Sequence, residues 1–117
     1  MAFIPTNTDY ELSPYTGLTR KSWLEAATYM LKGIFQHIKD IEHPVVMPRQ
    51  ETKITYPHYN SSKEFQKAER KAEIFEGLTR SFFIAAPLIH EDPSIQICGM
   101  NLRDYYKHQV LRTCTSG

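Results

Sequence analysis

From Phe82 to Ile89 every residue is apolar, in a segment whose neighbours have helical spacing. Spanning a bilayer takes about 20 such residues, so this run is far too short. A helix that is greasy around its whole circumference must instead be covered by protein on several sides. The window that leads into the run, FEGLTRSFFIAAPL at 75–88, also holds Glu76, Gly77, Arg80 and Pro87. Glu76 and Arg80 are four apart with the acid first, an order that stabilises an exposed helix by only ~0.2–0.5 kcal/mol. If the pair is buried, it costs desolvation and needs further hydrogen bonds. Gly77 would let another backbone approach. Pro87 removes one backbone hydrogen bond and is expected to kink or end the helix.

Periodicity predicts two more helices around this one, and so an all-α chain of three main helices. The first is expected over 20–38, capped by Thr19, with Trp23, Ala27, Met30, Ile34 and Ile38 on one face and Leu31 and Phe35 beside them. Within it, Gly33 lowers helix propensity by about 1 kcal/mol and is expected to mark close packing. The second opens at Ser61, whose spacing to Glu64 is that of a capping box. Its expected stripe is Phe65, Ala68, Ala72, Phe75, Leu78, Phe82, Ala85 and Ile89. The third has Asn101 as its cap and runs to about Thr113, with Leu102, Tyr105, Tyr106, Gln109 and Val110 on neighbouring turns.

Between these segments the chain is irregular. Residues 1–17, with Pro5, Pro14 and Gly17, read as an extended arm, and 18–117 as one domain at most. EDPSIQICGMN reads as a turn-rich connector. Residues 40–60 hold Pro44, Pro48 and Pro57 and show no sustained period, and so long a loop is often functional. A short strand in ETKITYPHY is the alternative there.

Several function classes are disfavoured. With 14 Lys+Arg against 13 Asp+Glu the chain has no basic footprint for nucleic acid or for anionic lipid. The opening MAFIPTNTDYELSP lacks the basic and apolar regions of a secretory signal, so a soluble, cytoplasmic protein is expected. Cys98 and Cys114 have no CxxC spacing and are expected to be reduced. His37, His43, His58, His90 and His108 show no HExxH or regular ligand spacing, so no metal is expected. No Gly-rich phosphate cradle or GxSxG elbow suggests a cofactor or a serine nucleophile.

The window at 75–88 resembles part of the bacterial "domain of unknown function 2264" (DUF2264) family. In that family a Thr-Arg pair precedes a Trp-bearing first helix, as Thr19, Arg20 and Trp23 do here. A second helix carries Glu-Gly, then Arg, aromatics and Ala-Pro-Leu, matched by Glu76, Gly77, Arg80, Phe82, Phe83, Ala86, Pro87 and Leu88. A Tyr-containing third helix corresponds to Tyr105 and Tyr106. Relatives often have Pro-Leu-Trp where Ser81, Phe82 and Phe83 stand, so a phenylalanine takes the place of the indole. The resemblance implies an (α/α) toroid like that of six-hairpin glycosidases and polysaccharide lyases. A ring of about twelve helices of about 20 residues cannot fit in 117 residues. The chain is therefore expected to be the opening one and a half hairpins, an incomplete toroid.

Glu76 and Arg80 admit three readings. One makes them a structural ion pair that ties the second helix to an adjacent loop, with Glu73 sharing the arginine. A second places Glu76 as a carboxylate in the ring's cleft, with Arg80 contacting an acidic sugar through its planar fork. A third is a solvated pair. Tyr56, His58 and Tyr59 either form an aromatic sugar subsite or cover helix ends. Glycoside hydrolysis typically uses two carboxylates ~5–10 Å apart, and neighbours on one helix cannot flank a sugar ring. The isolated chain is thus expected to be catalytically silent, with carbohydrate as the ligand of the intact protein. Its uncovered apolar faces make a homo-oligomeric helical module the rival reading.

Overall fold

Thr19 starts the first helix by a reciprocal exchange: its Oγ1 accepts from the Ser22 backbone N–H, and Ser22 Oγ accepts from that of Thr19. In the computed structural model, which describes residues 2–47 and 63–115 without the side chains of Phe65 and Gln66, this helix, α1, spans Arg20–Phe35. It stops short of residue 38 because Gln36 to Ile38 turn back to bond carbonyls of the last turn. The expected cap at Ser61 lies outside the described residues. Helix α2 spans Lys63–Glu91 and runs antiparallel to α1, with the Arg20 guanidinium on the Glu91 carboxylate. That pairing sets the register. Counting back from Glu91 along α1's 16 residues reaches about Glu76, so α2's N-terminal portion extends past the end of α1. At ~1.5 Å per residue this overhang is about 20 Å.

Pro87 lies inside α2, so of the expected kink or end it is not the end: four more helical residues follow it. Its ring removes only the bond to the Phe83 carbonyl. Phe83 and Pro87 share the exposed side of the helix, while Leu88 beyond them returns to the core.

The connector after α2 contains a small antiparallel hairpin that the sequence reading does not anticipate. Its strands are β1 (Gln96–Ile97) and β2 (Met100–Asn101), with Ile97 opposite Met100. Cys98 and Gly99 between them have φ of 51° and 77°, and positive φ at both central residues is the type I′ signature. Asn101 then caps helix α3 (Leu102–Thr115), its Oδ1 accepting from the Asp104 N–H at 2.9 Å.

The core gathers Leu31 and Phe35 of α1, Val45, then Leu78, Ala85 and Leu88 of α2, Ile97, and Leu102, Tyr105 and Tyr106 of α3. Phe35, Tyr105 and Tyr106 form an aromatic cluster, with Phe35–Tyr105 and Tyr105–Tyr106 edge-on at 5.0 and 5.4 Å. Two expected stripes are rotated. In α1, Trp23 is 66% exposed and Met30 is also exposed, while Leu31 and Phe35 face inward. In α2 the buried line is Leu78, Ser81, Ala85 and Leu88, and Phe75 and Phe82 lie outside it. Both segments are apolar over more than half their circumference, so periodicity alone does not choose the buried side. Gly33, expected at a close contact, has open space within 4 Å of where a Cβ would stand.

Residues 2–18 do not extend freely. Thr8 bridges to Leu18, the Asp9 N–H donates to the Gly17 carbonyl at 2.8 Å, and Gly17 turns with φ +69° beneath the Tyr10 ring. The Glu25 carboxylate accepts from the Thr6 N–H and hydroxyl and from the Asn7 amide. Phe3 packs on Tyr29 at 5.1 Å between ring centroids. The expected extended arm is folded back on α1, because Glu25 supplies acceptors for its backbone and side chains. Among the described residues no helix is long and apolar enough to cross a membrane.

Candidate functional site

The segment that leaves α1 is fastened from both other helices. At Gly77 the Val45 carbonyl oxygen occupies the space a Cβ would need, so the missing side chain admits a backbone. From α3, Tyr105 donates its hydroxyl to the His43 carbonyl at 2.6 Å, and Gln109 Nε2 donates to the Ile41 carbonyl at 2.6 Å. Arg112 donates to the Glu42 carbonyl at 2.7 Å and sits 3.5 Å from its carboxylate. His108 Nε2 lies 2.9 Å from Glu42 Oε1 without the alignment of a hydrogen bond.

Glu76 and Arg80 stand beside this contact but point away from it. Their nearest charged atoms are 3.7 Å apart, and the side chains are 60% and 79% exposed. They form the solvated pair, not a buried tie between helix and loop. The tie belongs to the glycine between them. Glu73 pairs with Arg70 at 3.5 Å. Around the pair, the outer face of α2 presents Phe75, Phe82 and Phe83 to solvent, Phe83 at 82% exposure. Phe82 borders α3, with its ring 5.3 Å from that of Tyr106. Glu76, Arg80, Phe83 and Pro87 lie at intervals of four, three and four residues, one line along a helix. The face is therefore polar and aromatic together, and open to water.

The two α3 tyrosines are core residues and do not offer their rings to a ligand. Tyr106 donates its hydroxyl to Ser81 Oγ at 2.8 Å, and Ser81 in turn bonds the Leu78 carbonyl. Burial disfavours the charged phenolate, so it pushes the Tyr106 hydroxyl up to about 12 and that of Tyr105 higher still.

Tyr56, His58 and Tyr59 lie outside the described residues. Among those described, no three His, Cys, Asp or Glu side chains converge as metal ligands, and Cys98 and Cys114 are free and exposed. An open cleft of about 580 Å³ lies where the overhang of α2 passes the end of α1, lined by Gln36, His37, Lys39, His43, Val46, Met47 and Arg70. In the sequence His37 and His43 show no ligand spacing and stand as surface or loop histidines. Their proximity to Arg70 is set by the register of α2 on α1 and leaves no local signal. No family model, curated protein or solved structure matches this chain.

Proposed function

We propose that these three helices are the opening one and a half hairpins of an (α/α) ring of the DUF2264 type, whose intact form acts on carbohydrate, with uronic-acid-containing glycans as substrate class. The observation that carries this reading is the outer face of α2. Its inner side is satisfied by α1, α3 and the Val45 segment, yet Phe75, Phe82 and Phe83 remain uncovered on the other. A helix with exposed aromatic side chains on the side away from its own neighbours suits a position between neighbouring hairpins. Resemblance at 75–88 and fold-level analogy supply the substrate class.

In this reading Arg80 contacts a sugar carboxylate, for which a planar guanidinium fork is suited. Glu76 is one of the two carboxylates that glycoside hydrolysis uses, and Tyr56, His58 and Tyr59 form an aromatic subsite. The second carboxylate comes from elsewhere in the ring, because Glu73 stands one turn from Glu76 on the same helix. The chain alone is then inactive. Purified chain assayed on aryl glycosides and glucuronides should show no turnover, and turnover above a Glu76→Ala control would overturn this. A uronic-acid disaccharide should shift the Arg80 side-chain NMR signals where a neutral one does not. Equal response to both, or none, removes Arg80 from the assignment.

A further inference from the structure

We infer that the outer face of α2 pairs with the same face of a second copy of this chain, antiparallel about a two-fold axis level with residues 78–79. This concerns the chain by itself, where Phe75, Phe82 and Phe83 are exposed; it does not depend on the ring reading, which gives the same face to a neighbouring hairpin.

Two sets of exposed residues locate the axis independently. A two-fold axis perpendicular to a helix exchanges positions equally spaced on either side of it, so the contact is self-complementary. Glu76 and Arg80, of opposite charge and both in solvent, are centred on residue 78. Phe75 and Phe83, both exposed, are centred on residue 79. The two centres differ by one residue, about 1.5 Å along the axis. One operator therefore brings each Glu76 level with the partner's Arg80 and each Phe75 level with the partner's Phe83. A parallel arrangement would set like charges at the same level.

The surface is adequate in size. Phe75, Phe82 and Phe83 are joined by Val110, which lies one helical turn along α3 from Tyr106, the ring that touches Phe82. With aromatic side chains of ~150–250 Å² each, their exposed parts amount to roughly 400 Å² per copy. Doubled by symmetry and ringed by Glu76, Thr79 and Arg80, the contact comes to about 1,000 Å², the lower bound of a specific interface. The charged pair adds little energy in water but fixes register and orientation.

Sedimentation equilibrium of the full chain over a range of concentrations tests this. A reversible monomer–dimer equilibrium is expected, and Phe83→Glu should leave a monomer with unchanged circular dichroism. Glu76→Arg and Arg80→Glu should each weaken self-association about tenfold, since each makes two like-charge contacts. The deciding measurement mixes them. One variant then carries two arginines and the other two glutamates, so the heterodimer should recover wild-type affinity although neither restores the charge pair within its own helix. A chain monomeric at every concentration overturns the inference, and so does a dimer indifferent to the swaps or one that the mixture does not rescue. Because the dimer sets Arg80 against the partner's Glu76, uronic-acid recognition by Arg80 is read on the Phe83→Glu monomer.

Discussion

The carbonyl oxygen of Val45 lies where a side chain at position 77 would begin. Two consequences separate this glycine from Gly33, which stands in α1 with open space around it. Gly77→Ala forces apart α2 and the segment that leaves α1, so it should cost about 1–3 kcal/mol by overpacking. Gly33→Ala has no neighbour to strike and removes backbone freedom from the unfolded chain, a gain of about 0.4–1 kcal/mol. Urea denaturation of both variants should show midpoints displaced in opposite directions.

Gln109 holds the same segment from α3. It is buried, and its amide donates to the Ile41 carbonyl at 2.6 Å and more loosely to that of His43. Gln109→Met keeps the volume but leaves the Ile41 carbonyl without that donor, which should cost about 1–3 kcal/mol. Amide hydrogen exchange should rise in residues 41–46 more than in the centre of α2. A uniform rise would indicate that the bond is not local to this segment.

Alkaline pH should unfold the protein through Tyr105 and Tyr106. Both hydroxyls titrate above the ordinary value of 10 when folded, because burial disfavours the phenolate. The folded state then binds more protons than the unfolded state once pH passes 10, so stability is full below that pH and falls above it. The urea midpoint should drop between pH 10 and 12, the value to which Tyr106 is raised. Tyr105→Phe and Tyr106→Phe combined should flatten that decline.

At acid pH the amino-terminal arm should come loose first. Thr6 and Asn7 donate to the Glu25 carboxylate and hold its pKa below the usual carboxylate range, the Thr6 hydroxyl being the largest cause. Their contribution is present above the ordinary glutamate value and disappears as pH falls through the lowered one. The Thr6 amide resonance should therefore move with a midpoint below pH 4.5, the reference value for the group. Glu25→Gln should give faster exchange at Thr6 at neutral pH, with α1 intact.

Much of this architecture is legible before any coordinates. Thr19 and Asn101 act as caps because a short oxygen-bearing side chain ahead of an apolar period has one productive use. Tyr105 and Tyr106, consecutive in α3 and read as packing residues rather than ligand stackers, both fall in the core. Other features depend on what lies across a gap. Gly33 and Gly77 look alike in the sequence, and only a carbonyl from residue 45 tells them apart. Trp23 and Met30 fit a helical stripe as well as Leu31 and Phe35 do, and the placement of α3 decides between them. The i,i+4 spacing of Glu76 and Arg80 is visible at once, whereas their exposure depends on which side of α2 the neighbours take. The Cys98–Gly99 turn escapes notice because cysteine is an unusual residue at positive φ.

Tyr105, Gln109 and Arg112, which grip residues 41–43, are separated from them by more than half the polypeptide. On a ribosome, a nascent chain that has already emitted both longer helices still lacks the fingers that close around their junction. Until the third helix emerges, the segment after α1 can be held only by its seat on Gly77 of α2, and the three side-chain grips on residues 41–43 are necessarily the last to close.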